Sequence, residues 1–220
     1  MEVTANLLSS TWLIAGWGLL LGVLAPAAVT APWQRLRETE MQHALFGGIV
    51  ALALLWWIRA GILPGLGFHF FGVTTLTLMF GWQFACLAAV PVLLAGIFTG
   101  QGDLGGLGLN ALLLFVLPAA LTWVVHALAS RHLPPNFFVY VFINCYLAAV
   151  LAMAGATVMM SAVLMAAGIV ELGYLWRDYL PFLPMMLLSE GFINGAAIAV
   201  LVATRPGWVW TFDDARYLKG

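Results

Sequence analysis

The sequence predicts an all-α polytopic membrane protein, and three observations support this fold class. Hydrophobic residues make up 64% of the 220 residues and charged residues only 8%, and the mean hydropathy is +1.03. The stretches 109–125 and 137–170 contain no Asp, Glu, Lys or Arg. These runs lack the period-two alternation of barrel strands. Helices are therefore the structure that can satisfy the backbone groups within lipid.

A transmembrane helix needs about 20 apolar residues, and the apolar runs divide into seven such spans. The stretch 69–99 is too long for one span, and we predict a break at Gly81-Trp82. The stretch 136–168 forms either one long tilted helix or two short ones divided near Gly155. No Lys or Arg precedes the first span, so we interpret it as a membrane helix rather than a signal peptide. The predicted spans are 7–28, 42–60, 69–80, 83–99, 108–130, 136–168 and 181–203.

The basic residues orient this bundle, because Lys and Arg concentrate in cytoplasmic loops. With seven spans and the N-terminus outside, only Arg59 and Arg177 of the eight basic residues are external. Merging 69–99 into one span would instead place three inside and five outside. We therefore predict a bundle over residues 1–204 and a cytoplasmic C-terminal tail over 205–220. The predicted cytoplasmic residues are Arg35, Arg37, Arg131, Arg205, Arg216 and Lys219.

Ionisable residues within a membrane span are candidates for function, because burying them is costly. Glu190 lies within the last span, and Asn194 is one helical turn further on the same face. We expect a hydrogen bond between them or a shared partner. Two interpretations remain open: a structural bond that locks this helix to a neighbour, or a role in gating.

His69 is the most informative of the four histidines. It follows the glycine-rich segment 61–67, which we predict to be an external loop, and it opens a span. His43, His126 and His132 are interpreted as structural or interfacial.

A second glycine-rich segment, 100–108, lacks the Lys-Ser/Thr of a phosphate-binding loop, and the chain carries no hydrolase or zinc-protease motif. We therefore expect no enzymatic activity, and the net charge of −1 gives no indication of nucleic acid binding.

Three segments, in order, resemble one known family. The first is FHFFGVT at 68–74, followed by LMFG at 78–81. The second is LGGLGLNA at 104–111, which contains Asn110. The third is PMMLLSEG at 184–191. Together they resemble the substrate-binding membrane (M, or CbiM-like) component of cobalt and nickel energy-coupling-factor ABC transporters.

The resemblance implies seven helices, an external N-terminus and capture of a divalent metal ion, cobalt or nickel, on the outer face. It also implies two kinds of partner, a transmembrane coupling protein and cytoplasmic ATPase subunits, in the inner (plasma) membrane of a bacterium. Family members begin Met-His-Ile-x-Glu-Gly, and their terminal amine and histidine help to bind the metal. In this chain Glu2 stands where that histidine would be. The implied metal ligands are therefore Met1, Glu2 and His69.

Three functional hypotheses follow. The first is a metal-capture subunit in which the ion lies near His69, beneath the segments 61–68 and 100–108. In that case Asn110, Glu190 and Asn194 would shape or gate the bundle. The second is a membrane scaffold or assembly subunit on the same fold, which the missing N-terminal histidine favours. An intramembrane enzyme using His69 and Glu190 ranks last, because their predicted depths differ.

Overall fold

Six long helices form the bundle, and most of them begin and end close to the predicted spans. The computed structural model describes residues 2–63 and 66–217, leaving aside the side chains of residues 59–68. In this part of the chain, five helices are long and apolar enough to cross a membrane, and a sixth has 19 residues. The chain is thus a multi-pass membrane protein. The helices are α1 (Ser10–Thr30), α2 (Thr39–Trp57), α3 (Val73–Phe98), α4 (Leu104–His132), α5 (Phe137–Ala166) and α6 (Leu172–Thr204).

Large apolar side chains cover the outside of the helices. Ile14, Val29 and Phe98 are 72%, 84% and 87% exposed. A water-facing surface would not carry so many side chains of this kind, whereas lipid tails are as apolar as they are. The outer surface therefore agrees with the class that the composition predicts.

Helix α3 is broken at Gly81, as the sequence predicts. Gly81 has φ 85° and ψ 163°, a conformation that is essentially restricted to glycine. The first half, 73–80, would be about 12 Å long at 1.5 Å per residue, too short to cross a bilayer alone. Counting the two halves separately gives seven segments of the bundle in the part of the chain that the structure describes, short terminal and connecting helices aside.

The two halves of α3 run in opposite directions. The first half begins at Val73, and an added Cβ on the preceding Gly72 would contact Leu52 near the end of α2. It ends at Phe80, whose ring packs 5.4 Å from Trp210. The second half begins beside the same tryptophan, because the Phe84 and Trp210 rings are 5.8 Å apart. It returns to the cavity that Glu2 lines.

These contacts define two ends of the bundle. The Glu2 end contains residues 2–5 and the loop 99–103. The Trp210 end contains residues 33–40 and 205–217. At the Trp210 end, the amides of Trp210 and Thr211 donate to the carbonyl oxygens of Met79 and Leu78, at 3.0 and 3.3 Å. The described parts of the two chain ends therefore lie at opposite ends of the bundle.

A β-hairpin replaces part of the predicted glycine-rich loop. Strand β1 (Arg59–Leu63) pairs antiparallel with β2 (Leu66–His69), and Arg59 lies opposite His69. Pro64 and Gly65 lie outside the described residues. The prediction that a helix begins at 69 was wrong, because α3 begins at Val73. The preceding Gly72 has a left-handed φ of 64°, which ends the extended segment immediately before the helix.

The sequence left the stretch 136–168 open, and the structure contains one continuous helical run, α5. It passes through Gly155 without a break and includes a π-helical stretch, Tyr140–Leu147. The regular α-helix of the last span, Leu183–Thr204, agrees with the predicted 181–203, and shorter helical turns starting at Leu172 precede it. Trp176, Arg177 and Asp178 are therefore helical.

Candidate metal-capture site

The N-terminal segment enters the bundle and is held there by two polar side chains. The Asn110 amide accepts from the Val3 amide at 2.9 Å and donates to the Val3 carbonyl oxygen at 2.8 Å. The Asp103 carboxylate accepts from the Ala5 amide at 2.7 Å and from the Gly106 amide at 2.8 Å. Asp103 thus caps the first turn of α4 and binds the N-terminal segment with its second oxygen. Together the two side chains fix residues 3–5 against the start of α4.

Glycine at position 106 allows this close approach. A Cβ there would collide with the Val3 carbonyl oxygen. The backbone of the N-terminal segment therefore passes directly over the first turn of α4, at a distance that only hydrogen permits. The glycine-rich segment 100–108 serves as a docking surface for the N-terminal segment.

Docking of residues 3–5 places Glu2 in a cavity of about 160 Å³. Trp56, Asn110 and Asp103 also line this cavity, together with Val92 from the second half of α3. Its volume accommodates several water molecules or a partly hydrated ion. The predicted ligand Met1 lies outside the described residues.

His69 packs against Trp56, one of the residues that line this cavity. Its ring centroid is 4.4 Å from that of Trp56 and 5.3 Å from that of Phe71, and the residue is 3% exposed. The Trp56 indole N–H donates to the Phe71 carbonyl oxygen at 2.9 Å. This bond links the end of α2 to the segment after β2.

Glu190 and Asn194 hold the segment that follows His69. The two Glu190 carboxylate oxygens accept from the amides of Phe71 and Gly72, at 2.9 and 2.8 Å. The Asn194 side chain donates to Glu190 Oε1 at 2.8 Å, so the expected Glu–Asn hydrogen bond is present. Its carbonyl oxygen accepts from the amide and the hydroxyl of Thr75, at 2.9 and 2.7 Å. We call Glu190 and Asn194 the α6 clamp.

The α6 clamp satisfies the free amides at the start of α3, as capping side chains do at other helices. Both residues are buried. A carboxylate near a helix N-terminus is also favoured by the helix dipole. The clamp binds Glu190 to Phe71 and Gly72, which follow His69 closely in the sequence. These bonds connect the last helix to the segment that begins two residues after His69.

The predicted site residues form two groups. Glu2, Asn110 and His69 gather around Trp56, whereas Glu190 and Asn194 support the segment after His69 from the other side. Within residues 2–63 and 66–217, no three His, Cys, Asp or Glu side chains form a group that could hold a metal ion. A complete ligand set would therefore include backbone, amine or water donors.

Comparison with known proteins decides the family. The model of the cobalt uptake substrate-specific transmembrane region, CbiM, matches residues 3–208. The chain belongs to this family. As a CbiM-family protein, it is a membrane component of a metal-uptake transporter, a kind of function that is not enzymatic.

Two solved structures have the same fold as this CbiM-family chain. A truncated transition metal transporter superposes with a TM-score of 0.70 at 15% identity, covering 92% of this chain and 99% of the other. A second transition metal transporter gives 0.69 at 14% identity, covering 92% and 93%. At such identities the likeness shows the fold alone. Among curated proteins, none matches the chain.

Sequence reasoning missed three residues of the candidate site. Trp56 was not singled out, although it contacts both Phe71 and His69. Asp103 was noted only as part of a glycine-rich segment, and Val3 was not considered. The role of Asp103 could have been predicted, because Asp is a preferred N-cap residue immediately before a helix. No local pattern indicates that an N-terminal valine pairs with Asn110.

Proposed function

We propose that this chain is the solute-capture subunit of a transition-metal uptake transporter of the energy-coupling-factor type. It would take up Co²⁺ or Ni²⁺ from the outer face of a bacterial inner membrane. A transmembrane coupling protein and cytoplasmic ATPase subunits would drive the transport. Family membership supports metal uptake, and the order of the three sequence motifs supports the transporter type.

One observation carries the assignment of the capture site. Asn110 and Asp103 hold the N-terminal segment inside the bundle, so Glu2 lines a cavity that reaches Trp56, the residue against which His69 packs. Imidazole nitrogen and carboxylate oxygen are both ligands for divalent first-row metals. The proposed ligands are the Met1 amine, Glu2 and His69. Asn110 would act as a positioning residue, because it holds the backbone that carries Glu2.

The carboxylate at position 2 sets this site apart from one with two imidazole ligands. Oxygen donors bind Co²⁺ and Ni²⁺ less strongly than nitrogen donors do. We therefore expect weaker binding than a two-imidazole site would give. The α6 clamp supports the site from behind by fixing Phe71 and Gly72, which follow His69 closely in the chain.

Metal titration of the purified protein tests this function. The N-terminus must be free, because a tag would alter the Met1 amine. Loss of a group that orients a metal ligand costs about 10–100-fold in affinity. We expect that range for Asn110→Ala, and at least that loss for His69→Ala and Glu2→Ala. His132→Ala is the matched control, since His132 is exposed and its Nδ1 lies 3.0 Å from the Leu128 carbonyl oxygen one turn before it.

Unchanged Co²⁺ and Ni²⁺ affinity in His69→Ala would contradict the proposed capture site. That outcome would favour the alternative function, a membrane scaffold or assembly subunit on the same fold. The presence of glutamate at position 2, where the family has histidine, is the observation that keeps this alternative open. Co-purification then separates the two functions, because transport requires a coupling protein and an ATPase.

A further inference from the structure

A long apolar groove opens on the outer surface of the bundle, separate from the cavity that Glu2 lines. Its floor is the first half of α3, and α2 and α6 form its walls, where Ala51 and Ala197 line the two sides. The volume of the groove is about 530 Å³. Exposed apolar side chains such as Phe46 and Val200 stand on the same two helices, so the groove opens to the apolar region of the bilayer.

Small residues on α2 create the space in this groove. Gly47 lines it, and an added Cβ there would meet nothing within 4 Å. The next residue, Gly48, lies against the floor, because its added Cβ would be 3.0 Å from Leu76 Cδ1. Helix α2 therefore packs on the first half of α3 at Gly48 and leaves a channel beside Gly47.

The dimensions of the groove fit an acyl chain better than a helix. Along α2 its lining runs from His43 to Leu55, which is about 18 Å at 1.5 Å per residue. One leaflet contributes about half of the 30 Å hydrocarbon core, or roughly 15 Å. A helix of the same length, with its side chains, would occupy roughly 1,400 Å³ or more. The groove is too small to receive a helix, whereas its length matches the depth of one leaflet.

The Trp210 end of the groove carries groups that bind phosphate. His43 and Trp208 line the groove there, and the Arg205 guanidinium carbon lies 5.8 Å from the centre of the Trp208 ring. Glu40 accepts from the Trp208 indole at 2.8 Å and lies 3.7 Å from one Arg205 nitrogen. Arginine has five N–H donors in a fork that matches phosphate, so this contact with Glu40 leaves donors for a second anion. His43 and Arg205 are both exposed, and tryptophan is typical of the headgroup level.

The opposite end of the groove offers an apolar surface. Gly72 and Thr75 line it, but their polar groups are already bound by the α6 clamp. The Gly72 amide donates to Glu190 at 2.8 Å, and the Thr75 hydroxyl donates to Asn194 at 2.7 Å. A molecule that fits both ends is therefore amphipathic, with its polar head at Arg205 and its apolar end at Gly72.

We propose that this groove binds one phospholipid from the leaflet at the Trp210 end. One acyl chain lies along the groove between α2 and α6, and the phosphate contacts Arg205 and His43. The end of the chain reaches Gly72, so the bound lipid supports the segment that the α6 clamp holds. The groove shares none of its described lining residues with the capture site, and lipid binding can be tested without metal.

Native mass spectrometry of the full-length protein tests lipid binding, after the protein has been delipidated in detergent and titrated with dioleoyl phosphatidylglycerol. We expect one tightly held lipid per chain and a thermal unfolding temperature that rises until one equivalent is bound. Ala197→Phe should abolish both effects, because the new ring fills the groove. Ala51→Phe, on the other wall, should do the same and guards against misfolding of the first variant. Ala196→Phe is the matched control, since Ala196 is exposed on α6 beside Ala197 and should keep the lipid.

The position of the phosphate is tested with a second pair of variants and a second ligand. Arg205→Gln should weaken phosphatidylglycerol binding about fivefold, the effect of one basic residue at a membrane surface. Arg131→Gln removes the same charge from α4, which does not form a wall of the groove, and should leave the affinity unchanged. Dioleoylglycerol, which has the same chains without the phosphate, should bind at least about fivefold more weakly than the phospholipid.

Equal lipid retention in Ala197→Phe and Ala196→Phe would overturn the binding site. A lipid-free dimer of the native chain that Ala197→Phe dissociates would also overturn it, since a second copy would then occupy the groove. Equal affinity for dioleoylglycerol and phosphatidylglycerol would contradict the contact of the phosphate with Arg205. Each of these results leaves Co²⁺ binding at His69 untouched, so failure here is distinct from failure of the capture site.

Discussion

Glu190 stabilises the bundle through backbone amides. Its two oxygens accept from consecutive amides at Phe71 and Gly72, and its partner Asn194 extends the clamp to Thr75. Charge-assisted hydrogen bonds of this kind are about twice as strong as neutral ones. The buried carboxylate thus connects the last helix to the segment that carries His69.

Glu190→Gln should therefore destabilise the protein. The glutamine oxygen can accept from one of the two backbone amides, and its NH₂ group then faces the other. An unsatisfied buried donor costs about 1–3 kcal/mol. We expect a loss of unfolding free energy in this range, measured by thermal or denaturant unfolding in detergent, and weaker Co²⁺ binding.

Glu171→Gln is the control for this substitution. Glu171 is exposed just before α6, so removal of its charge should leave stability within about 0.5 kcal/mol. Equal stability of Glu190→Gln and Glu171→Gln would mean that the α6 clamp does not support the segment after His69.

The sequence predicted the side chains of the α6 clamp better than the groups that they bind. The four-residue spacing of Glu190 and Asn194 predicted their mutual bond, because helix geometry fixes it. Their contacts with Phe71 and Thr75 join residues more than 100 positions apart, and no local pattern encodes such a pairing. The same limit applies to Asn110 and Val3.

The N-terminal segment and the first turn of α4 behave as one element. Asp103 bonds to both, and Gly106 permits the backbone of one to lie on the other. The sequence indicated that the glycine-rich segment packs tightly against something. It could not identify the contacting segment, because a glycine allows another chain segment to approach closely but does not specify which one.

Gly106→Ala should displace the N-terminal segment, because the new methyl group would occupy the position of the Val3 carbonyl oxygen. We expect Co²⁺ affinity to fall about 10–100-fold, as for loss of a group that orients a ligand. Cleavage of residues 2–5 by an aminopeptidase should become faster. Gly22→Ala is the control, since a Cβ there meets nothing within 4 Å. Equal metal affinity in the two variants would contradict the docking of the segment.

The elements of the bundle could be predicted to different degrees. The break at Gly81 was predictable, because the length of 69–99 exceeds one span. The hairpin Arg59–Leu63 with Leu66–His69 was not, because its glycines are typical of loops and its strands are short. Pairing between the two strands, and the clamp at 71–72, override that local preference.

Within residues 2–63 and 66–217, the reversal of α3 at Gly81 makes the number of long helical segments odd. An odd number places residues 2–5 and 205–217 at opposite ends, in agreement with the contacts of Trp210 and Thr211 with the end of the first half of α3. The proposed orientation, with the Glu2 end outside, follows from the distribution of basic residues. It would expose the capture site to the outer face and the tail to the cytoplasm.

In the proposed function, the docked N-terminal segment and His69 together bind the transported ion. The most direct test is the anomalous diffraction of cobalt in crystals of the protein with a free N-terminus, grown with one equivalent of Co²⁺. We predict a peak in the cavity lined by Glu2, Trp56 and Asn110, within bonding distance of Glu2 and of the His69 imidazole. A peak elsewhere in the bundle, or none at saturating occupancy, would contradict the account.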